Sequence, residues 1–304
     1  MIAASRKPAT LRELVEAGAR ELQWCESAAR ENPLQEASVL LMAAVGCERS
    51  HLVTHGGEFA PTRETERFWS LVSQRATGVP LQLLLGETGF HAVTLRVERG
   101  VFIPRPETEL LVEEAVAAVR ARLEVGRGSR LLDLCTGTGA VAIAVAAQFR
   151  ERSDVHILAA DWNPQAVRLA RRNAEDNGVD AMIDVRRSNL YSALADQEGR
   201  IDVLVSNPPY VEPAVSEELP VEVRLGDPKD ALFDPEGGTG FHRKIAGRGR
   251  DFLSAGGVLA MEIGATQGAS VAAILAESGY GEVRVLPDLA GRDRVVRGTW
   301  TRSG

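Results

Sequence analysis

What the chain lacks narrows its class first. Its 304 residues contain no apolar run of the roughly 18 residues that a membrane-spanning helix needs, so no membrane partner is expected. Residues Met1 to Thr10 are polar, with Arg6 and Lys7 but no apolar stretch behind them, so no secretory leader is expected. Cysteine is scarce: Cys25, Cys47 and Cys135 are odd in number, scattered and without a CxxC pair. That argues against a disulfide frame or a zinc site and points to a reducing compartment, the cytoplasm. The histidines at 51, 55, 91, 156 and 242 show no ligand spacing, so no metal is expected. A basic excess is also missing. The net charge is −7, from 35 basic and 42 acidic residues, which argues against direct nucleic-acid binding through a counterion-displacing surface. Internal repeats and low-complexity tracts are absent too.

What is present is an ordinary globular composition, 44% hydrophobic and 25% charged, long enough for one large or two medium domains. Residues 1–85 read as a helical bundle. Thr10 caps a first helix with Leu11, Leu14, Val15, Gly18 and Leu22 on one face. Asn32-Pro33 opens a second, which ends near Gly46, and Pro61-Thr62 a third with Phe68, Leu71 and Val72 inward. Trp24 and Trp69 are expected in the core of this part. Residues 86–105 change to a period of two, giving a β-hairpin connector bounded by Gly89 and Gly100. From 106 to 304 strands alternate with helices, with strands expected at 130–134, 155–160, 181–187, 201–206 and 257–263. An antiparallel pair is expected at 283–286 and 294–299. Such alternation implies a doubly wound, mostly parallel α/β sheet.

Two features carry chemistry. The first strand runs into Asp133-Leu134-Cys135-Thr136-Gly137-Thr138-Gly139, a glycine turn that lets backbone approach a ligand. Asp161, at the tip of the next strand, can accept both hydroxyls of a ribose. Spacing alone does not separate a dinucleotide from S-adenosylmethionine. The strict GxGxxG is missing, however, and Asp133 can bind an ammonium group, which S-adenosylmethionine has and NAD lacks.

The second feature is Asn207-Pro208-Pro209-Tyr210, directly after the strand ending at Ser206. An amide nitrogen is a poor nucleophile because its lone pair is delocalised. The side-chain oxygen of Asn207 and the carbonyl of Pro208 can accept its two hydrogens and turn the lone pair toward a methyl donor. The two prolines fix φ and keep that carbonyl aimed. Tyr210 offers an aromatic face to a flat amide or base. This is catalysis by positioning and fixed dipoles, with no dedicated strong base.

Together with these motifs, Phe102-Ile103-Pro104-Arg105-Pro106-Glu107-Thr108-Glu109, Gly78-Val79-Pro80-Leu81-Gln82, Glu262-Ile263-Gly264 with Gln267, and Asp288-Leu289-Ala290-Gly291-Arg292-Asp293-Arg294 resemble the release-factor glutamine N5-methyltransferases (PrmC/HemK), in matching order over about residues 35 to 300. The resemblance implies a Rossmann-like class I methyltransferase sheet of seven strands, the last pair antiparallel, behind a small N-terminal helical substrate-recognition domain. It implies transfer of methyl from S-adenosyl-L-methionine, leaving S-adenosyl-L-homocysteine, to the glutamine of the Gly-Gly-Gln motif in class I peptide chain release factors. Carried over by position, Asp133, Cys135, Thr136, Gly137, Thr138, Gly139, Asp161, Asn189, Leu190 and Asn207 hold the cofactor. Asn207, Pro208, Pro209 and Tyr210 hold the glutamine amide, with Arg105 and Glu107 beside it. DNA or RNA amino methylation, at adenine N6 or guanine N2, is the competing reading, since the Asn-Pro-Pro-Tyr motif serves a flipped base equally well.

The chain departs from the family at several points. Cys135 stands where glycine is usual, which leads to the expectation that the position has an ordinary φ. Asn189 replaces an aspartate, Leu190 an aromatic residue, and Leu83 to Leu85 a Tyr-Ile pair. Gly226-Asp227-Pro228 replaces a Glu-Pro pair. Arg105-Pro106-Glu107 also reads as a plain helix start. Glu262 either orients the site or only ends a strand. Glu212, Glu217, Glu218 and Glu222 read as a solvated helix face.

Overall fold

The computed structural model describes residues 9 to 301, and the polar start read above for residues 1–8 lies outside them. The described chain forms two compact units, one of residues up to Gly86 together with Glu218–Gly226, the other of Glu87–Glu217 and Asp227 onward.

The first unit is helical: α1 (Leu11–Leu22), α2 (Pro33–Val45), α3 (Arg49–Thr54), α4 (Thr62–Ala76) and α5 (Leu81–Leu85). Thr10 and Glu13 form a full capping box on α1, and Gly46 ends α2 in the left-handed region. The core is Leu14, Leu22, Leu40, Leu41, Phe68 and Val72, all at helical spacing and almost fully buried. Gly18 is small because a Cβ there would meet the Phe68 ring at 2.5 Å. Trp24 departs from the expectation: it lies past the end of α1, off the periodic face, and is 84% exposed, while Trp69 is half-buried. The expected acidic helix face is also corrected at one position. Glu222 turns inward, with Oε1 accepting from the Ala28 N–H at 2.9 Å and pairing with the buried Arg75.

The second unit opens with the antiparallel pair β1 (Glu87–Phe90) and β2 (Val93–Arg96). A seven-stranded sheet follows, from β3 (Ser129–Leu134), β4 (Val155–Asp161), β5 (Ile183–Arg187), β6 (Ile201–Ser206), β7 (Leu253–Glu262), β8 (Tyr280–Pro287) and β9 (Asp293–Trp300). Their order is β5-β4-β3-β6-β7-β9-β8, parallel except for β9, which runs antiparallel to both β7 and β8. α6 (Glu109–Glu124), α7 (Ala140–Gln148) and α8 (Pro164–Asp176) pack their apolar residues into the core on one face. After the short α9 (Val221–Gly226), which belongs to the first unit, and α10 (Lys229–Leu232), α11 (Gly240–Phe252) and α12 (Gly268–Glu277) cover the other. β3 and β6 are buried on both faces, which is why they read as continuous apolar runs.

The chain winds outward in opposite directions from β3 and β6, which lie side by side in register, Leu134 opposite Ser206. A crevice therefore opens beyond their carboxyl ends, at the point where the strand order reverses.

Candidate active site

The loops leaving β3 and β6 begin together, since Ser206 Oγ donates to the Leu134 carbonyl at 2.8 Å. Between them lies a cavity of about 370 Å³, lined by both loops, by the end of β4 and by the segment at 100–108.

The glycine loop is a tight turn: the Gly139 N–H donates to the Thr136 carbonyl at 2.8 Å, and the Thr136 N–H to that of Ala160 at 3.1 Å. Gly139 has φ +83, and a Cβ there would come within 2.9 Å of Ile143 and 3.2 Å of Ala170. Cys135 contradicts the expectation of an ordinary φ. It sits at φ +58, so the usual glycine answers a backbone demand that the thiol has to tolerate. Burial, with the charge of Asp161 nearby, pushes that thiol well up, so it is an inert packing group.

Asp133 is 1% exposed at the floor of the cavity. Its Oδ2 accepts from Thr136 Oγ1 at 2.6 Å and from the Ala142 N–H at 3.3 Å. Burial nevertheless pushes its pKa up to about 7, with Asp161 adding to the rise. Asp161 is also raised by burial. Both its oxygens are fixed by backbone: Oδ2 accepts from Gly137 and Oδ1 from Asn163, each at 2.9 Å. The cap of α8 is Asn163, not Asp161, so the carboxylate stays on the cavity wall.

On the other wall, Asn207 Nδ2 donates to Thr108 Oγ1 at 3.2 Å, which leaves its carbonyl end to meet a ligand. Pro208 and Pro209 are buried and line the cavity with Tyr210. Tyr210 Oη donates to Glu262 Oε1 at 3.1 Å, and burial beside that carboxyl pushes the phenol up. Gln267 Nε2 holds the Tyr210 carbonyl at 3.0 Å, while the Gly264 N–H fixes Gln267 Oε1 at 2.9 Å. Glu262 is 1% exposed. Burial raises it to about 7 against the hydrogen bonds of Thr108 and Tyr210.

Not every expected residue joins the cavity. Asn189 is exposed and, with Leu190 at φ +47, lines a neighbouring depression with Tyr191 and Lys244. Arg105 does not line the cavity; its guanidinium pairs with buried Asp227, which also accepts from the Ile103 N–H at 3.0 Å. Arg105 thus braces the segment whose Phe102, Pro104 and Thr108 form the wall. Glu107 is exposed and does not line the cavity, though its charge acts on Tyr210 and Glu262 behind the wall. Thr108 and Trp162 are among the wall residues that sequence reasoning missed. Trp162 directly follows Asp161 and keeps half its surface exposed, a signal that adjacency to the acid could have given.

Comparison with known proteins agrees with this geometry. The family described as PrmC N-terminal domain matches residues 13–86, and the one described as Methyltransferase small domain matches residues 96–225. The release factor glutamine methyltransferase of Neisseria gonorrhoeae is 38% identical over 270 residues, covering 89% of this chain and 94% of its own. That of Xylella fastidiosa is 37% identical over 263 residues, covering 86% and 92%. Among solved structures, the hMettl16 catalytic domain in complex with the MAT2A 3′UTR hairpin 6 shares the fold, with a TM-score of 0.54 at 16% identity over 79% of this chain and 82% of that one. Sequence, sheet order and site converge, and the chain belongs to the release factor glutamine methyltransferase family.

Proposed function

We propose that this enzyme transfers the methyl group of S-adenosyl-L-methionine to the side-chain amide nitrogen, N5, of the glutamine in the Gly-Gly-Gln motif of class I peptide chain release factors. The observation that carries the reading is the Asn207 amide. Its nitrogen is engaged by Thr108, so a carbonyl oxygen is left as an acceptor at the mouth of a buried cavity that also holds Asp133 and Asp161. The relatives are named release factor glutamine methyltransferases, which supports a glutamine of a release factor as the target.

The residues present fit the cofactor. Asp133 is a buried carboxyl whose ionised form is disfavoured until a cation arrives, and the ammonium of S-adenosylmethionine is such a cation. Asp161 is preset by two backbone donors to accept ribose hydroxyls. Thr136 to Gly139, with Cys135, bring backbone close to the ligand. The exposed indole of Trp162 is the flat apolar surface an adenine asks for, so we assign the adenine to it, with Asn189 and Leu190 at the neighbouring rim. When bound, the cofactor supplies an electrophilic sulfonium methyl.

The chain's own groups do the rest. Asn207 Oδ1 and the Pro208 carbonyl accept the two hydrogens of the substrate amide, which swings its lone pair out of conjugation and toward the methyl. Tyr210 holds the amide plane, and the buried prolines keep water away. As the N–C bond forms, one hydrogen leaves as a proton through the acceptor that held it. No strong base is needed, because the barrier falls by orientation and by dipoles fixed beforehand.

Mass spectrometry of a purified release factor after incubation with enzyme and cofactor tests this. One added methyl on the Gly-Gly-Gln peptide is expected. No transfer to the factor, with strong transfer to DNA or RNA, would overturn it.

A further inference from the structure

The two acceptors assigned to the substrate amide are held differently. Asn207 has a side-chain partner in Thr108, 3.2 Å away. The Pro208 carbonyl belongs to the main chain, and neither Pro208 nor Pro209 has an N–H with which to tie the loop down. Its direction is therefore set at the two ends of the motif. Upstream, Ser206 is the last ladder residue of β6, opposite Leu134 and Met261. Downstream, the peptide unit joining Tyr210 to Val211 is bonded at both its polar ends. The Val211 N–H donates to the Leu232 carbonyl at 2.9 Å, and the Tyr210 carbonyl accepts from Gln267 Nε2 at 3.0 Å.

Gln267 stands at the start of α12, where a side chain commonly caps the first turn, yet it makes no cap bond. Its amide reaches away from the helix. Oε1 accepts from the Gly264 N–H at 2.9 Å, and Nε2 donates to the carbonyls of Tyr210 at 3.0 Å and Gly238 at 3.1 Å. All three partners are main-chain groups of fixed polarity. An N–H only donates and a carbonyl only accepts, so the amide fits one way round. Three segments meet on it: the loops leaving β6 and β7, and the turn before α11. Gly238 marks how close they come. It sits at φ +77, and a Cβ there would lie 2.7 Å from Gln267 Nε2 and 2.9 Å from the Tyr210 carbonyl oxygen.

We infer that Gln267 is a positioning residue. By holding the Tyr210 carbonyl against the turn at Gly238, it fixes the downstream end of the Asn-Pro-Pro-Tyr loop and so aims the Pro208 carbonyl at the substrate N–H. Gln267 does not itself line the cavity. The Tyr210 ring is anchored separately, through Oη on Glu262 at 3.1 Å, so the aromatic surface stays when the main chain is released. This role rests on the reading of the site as an amide-nitrogen methyltransferase, and it deepens that reading by giving the second acceptor its support.

The test uses full-length enzyme with release factor and labelled S-adenosylmethionine, at about pH 8.5, where an introduced carboxyl is ionised. Gln267→Glu keeps the length of the side chain and the acceptor for the Gly264 N–H, and removes both donors. Turnover at saturation is expected to fall by about tenfold to a hundredfold. KM for the release factor and Kd for the cofactor should stay within about threefold of wild type, with an unchanged circular dichroism spectrum. A side chain that only tied the Gly264 turn would leave turnover at the wild-type rate, because that bond survives. Gly238→Ala attacks the same junction from the other side and should also lower turnover. The double variant should be no worse than the poorer single, because both break one junction. If Gln267→Glu turns over within about threefold of wild type, if its loss lies in KM alone, or if the two losses multiply, the positioning role is overturned while the assigned activity stands. If wild-type enzyme transfers nothing to the release factor, the assigned activity falls and the positioning role with it.

Discussion

Arg75 Nη1 lies 2.5 Å from Glu222 Oε1, although one residue ends a helix of the N-terminal bundle and the other follows the Asn-Pro-Pro-Tyr motif far along the chain. The same guanidinium, 2% exposed, grips Glu36 through Nε and Nη2 at 2.8 and 3.1 Å, and donates to the Val79 carbonyl at 3.2 Å. Gly78 beside it has no room for a side chain, since a Cβ would meet Val221 at 2.9 Å. One arginine thus neutralises two carboxylates and pins a distant segment into the helical unit.

Arg75→Met is therefore expected to destabilise that unit by roughly 3 kcal/mol, because it leaves two carboxylates without their cation. The partial exposure of Glu36 and Glu222 keeps the loss at the low end. Denaturant unfolding followed by circular dichroism measures it. Adding Glu36→Gln and Glu222→Gln should restore part of the loss.

Asn207→Ala removes the acceptor that turns the amide lone pair. A loss of about 100- to 1000-fold in single-turnover rate is expected, the scale for deleting one preset hydrogen-bonding group. Cofactor affinity, read by calorimetry, should change little. A variant that turns over like wild type would refute the catalytic role.

Cys135 at φ +58 makes a clean comparison of two variants. Both Cys135→Gly and Cys135→Ala remove the thiol, but only glycine suits the left-handed backbone. Cys135→Gly should be the more stable by about 1 kcal/mol, visible in paired thermal melts.

Asp133 gives a pH dependence. Its pKa in the fold, about 7, is above its ordinary 3.8, so the folded state binds the extra proton between those values. Its contribution to the stability of the cofactor-free protein is therefore present at acid pH and lost as pH rises toward 7; Glu262 shifts in the same sense. Cofactor binding runs the other way. An ammonium partner needs the ionised form, so affinity should rise from about pH 6 to about pH 8, with proton release on the acid side. Calorimetry in buffers of different ionisation enthalpy measures the release, and Asp133→Asn should flatten the profile.

Much of the sheet was legible. β6 reads as Ile201 to Ser206 because a strand buried on both faces is an unbroken apolar run, and the terminal pair was legible from its alternation. The glycine loop, Asp161 and Asn207 were legible because their chemistry is local. Thr108 was not, since nothing linear places residue 108 against 207; their contact exists only once α6, which Thr108 precedes, packs against β6. The brace made by Arg105 was not legible either, because its partner Asp227 comes from a distant loop. Glu222 looked solvated for the same reason: its cation is on another element.

The Ser206 hydroxyl on the Leu134 carbonyl ties the roots of the two working loops to neighbouring strands of one sheet. Strands in a sheet keep a spacing of about 4.8 Å that no side chain can stretch. The spacing between the roots of the two loops is thus inherited from the pitch of the ladder, so Cys135 and Asn207 leave the sheet from fixed, adjoining points.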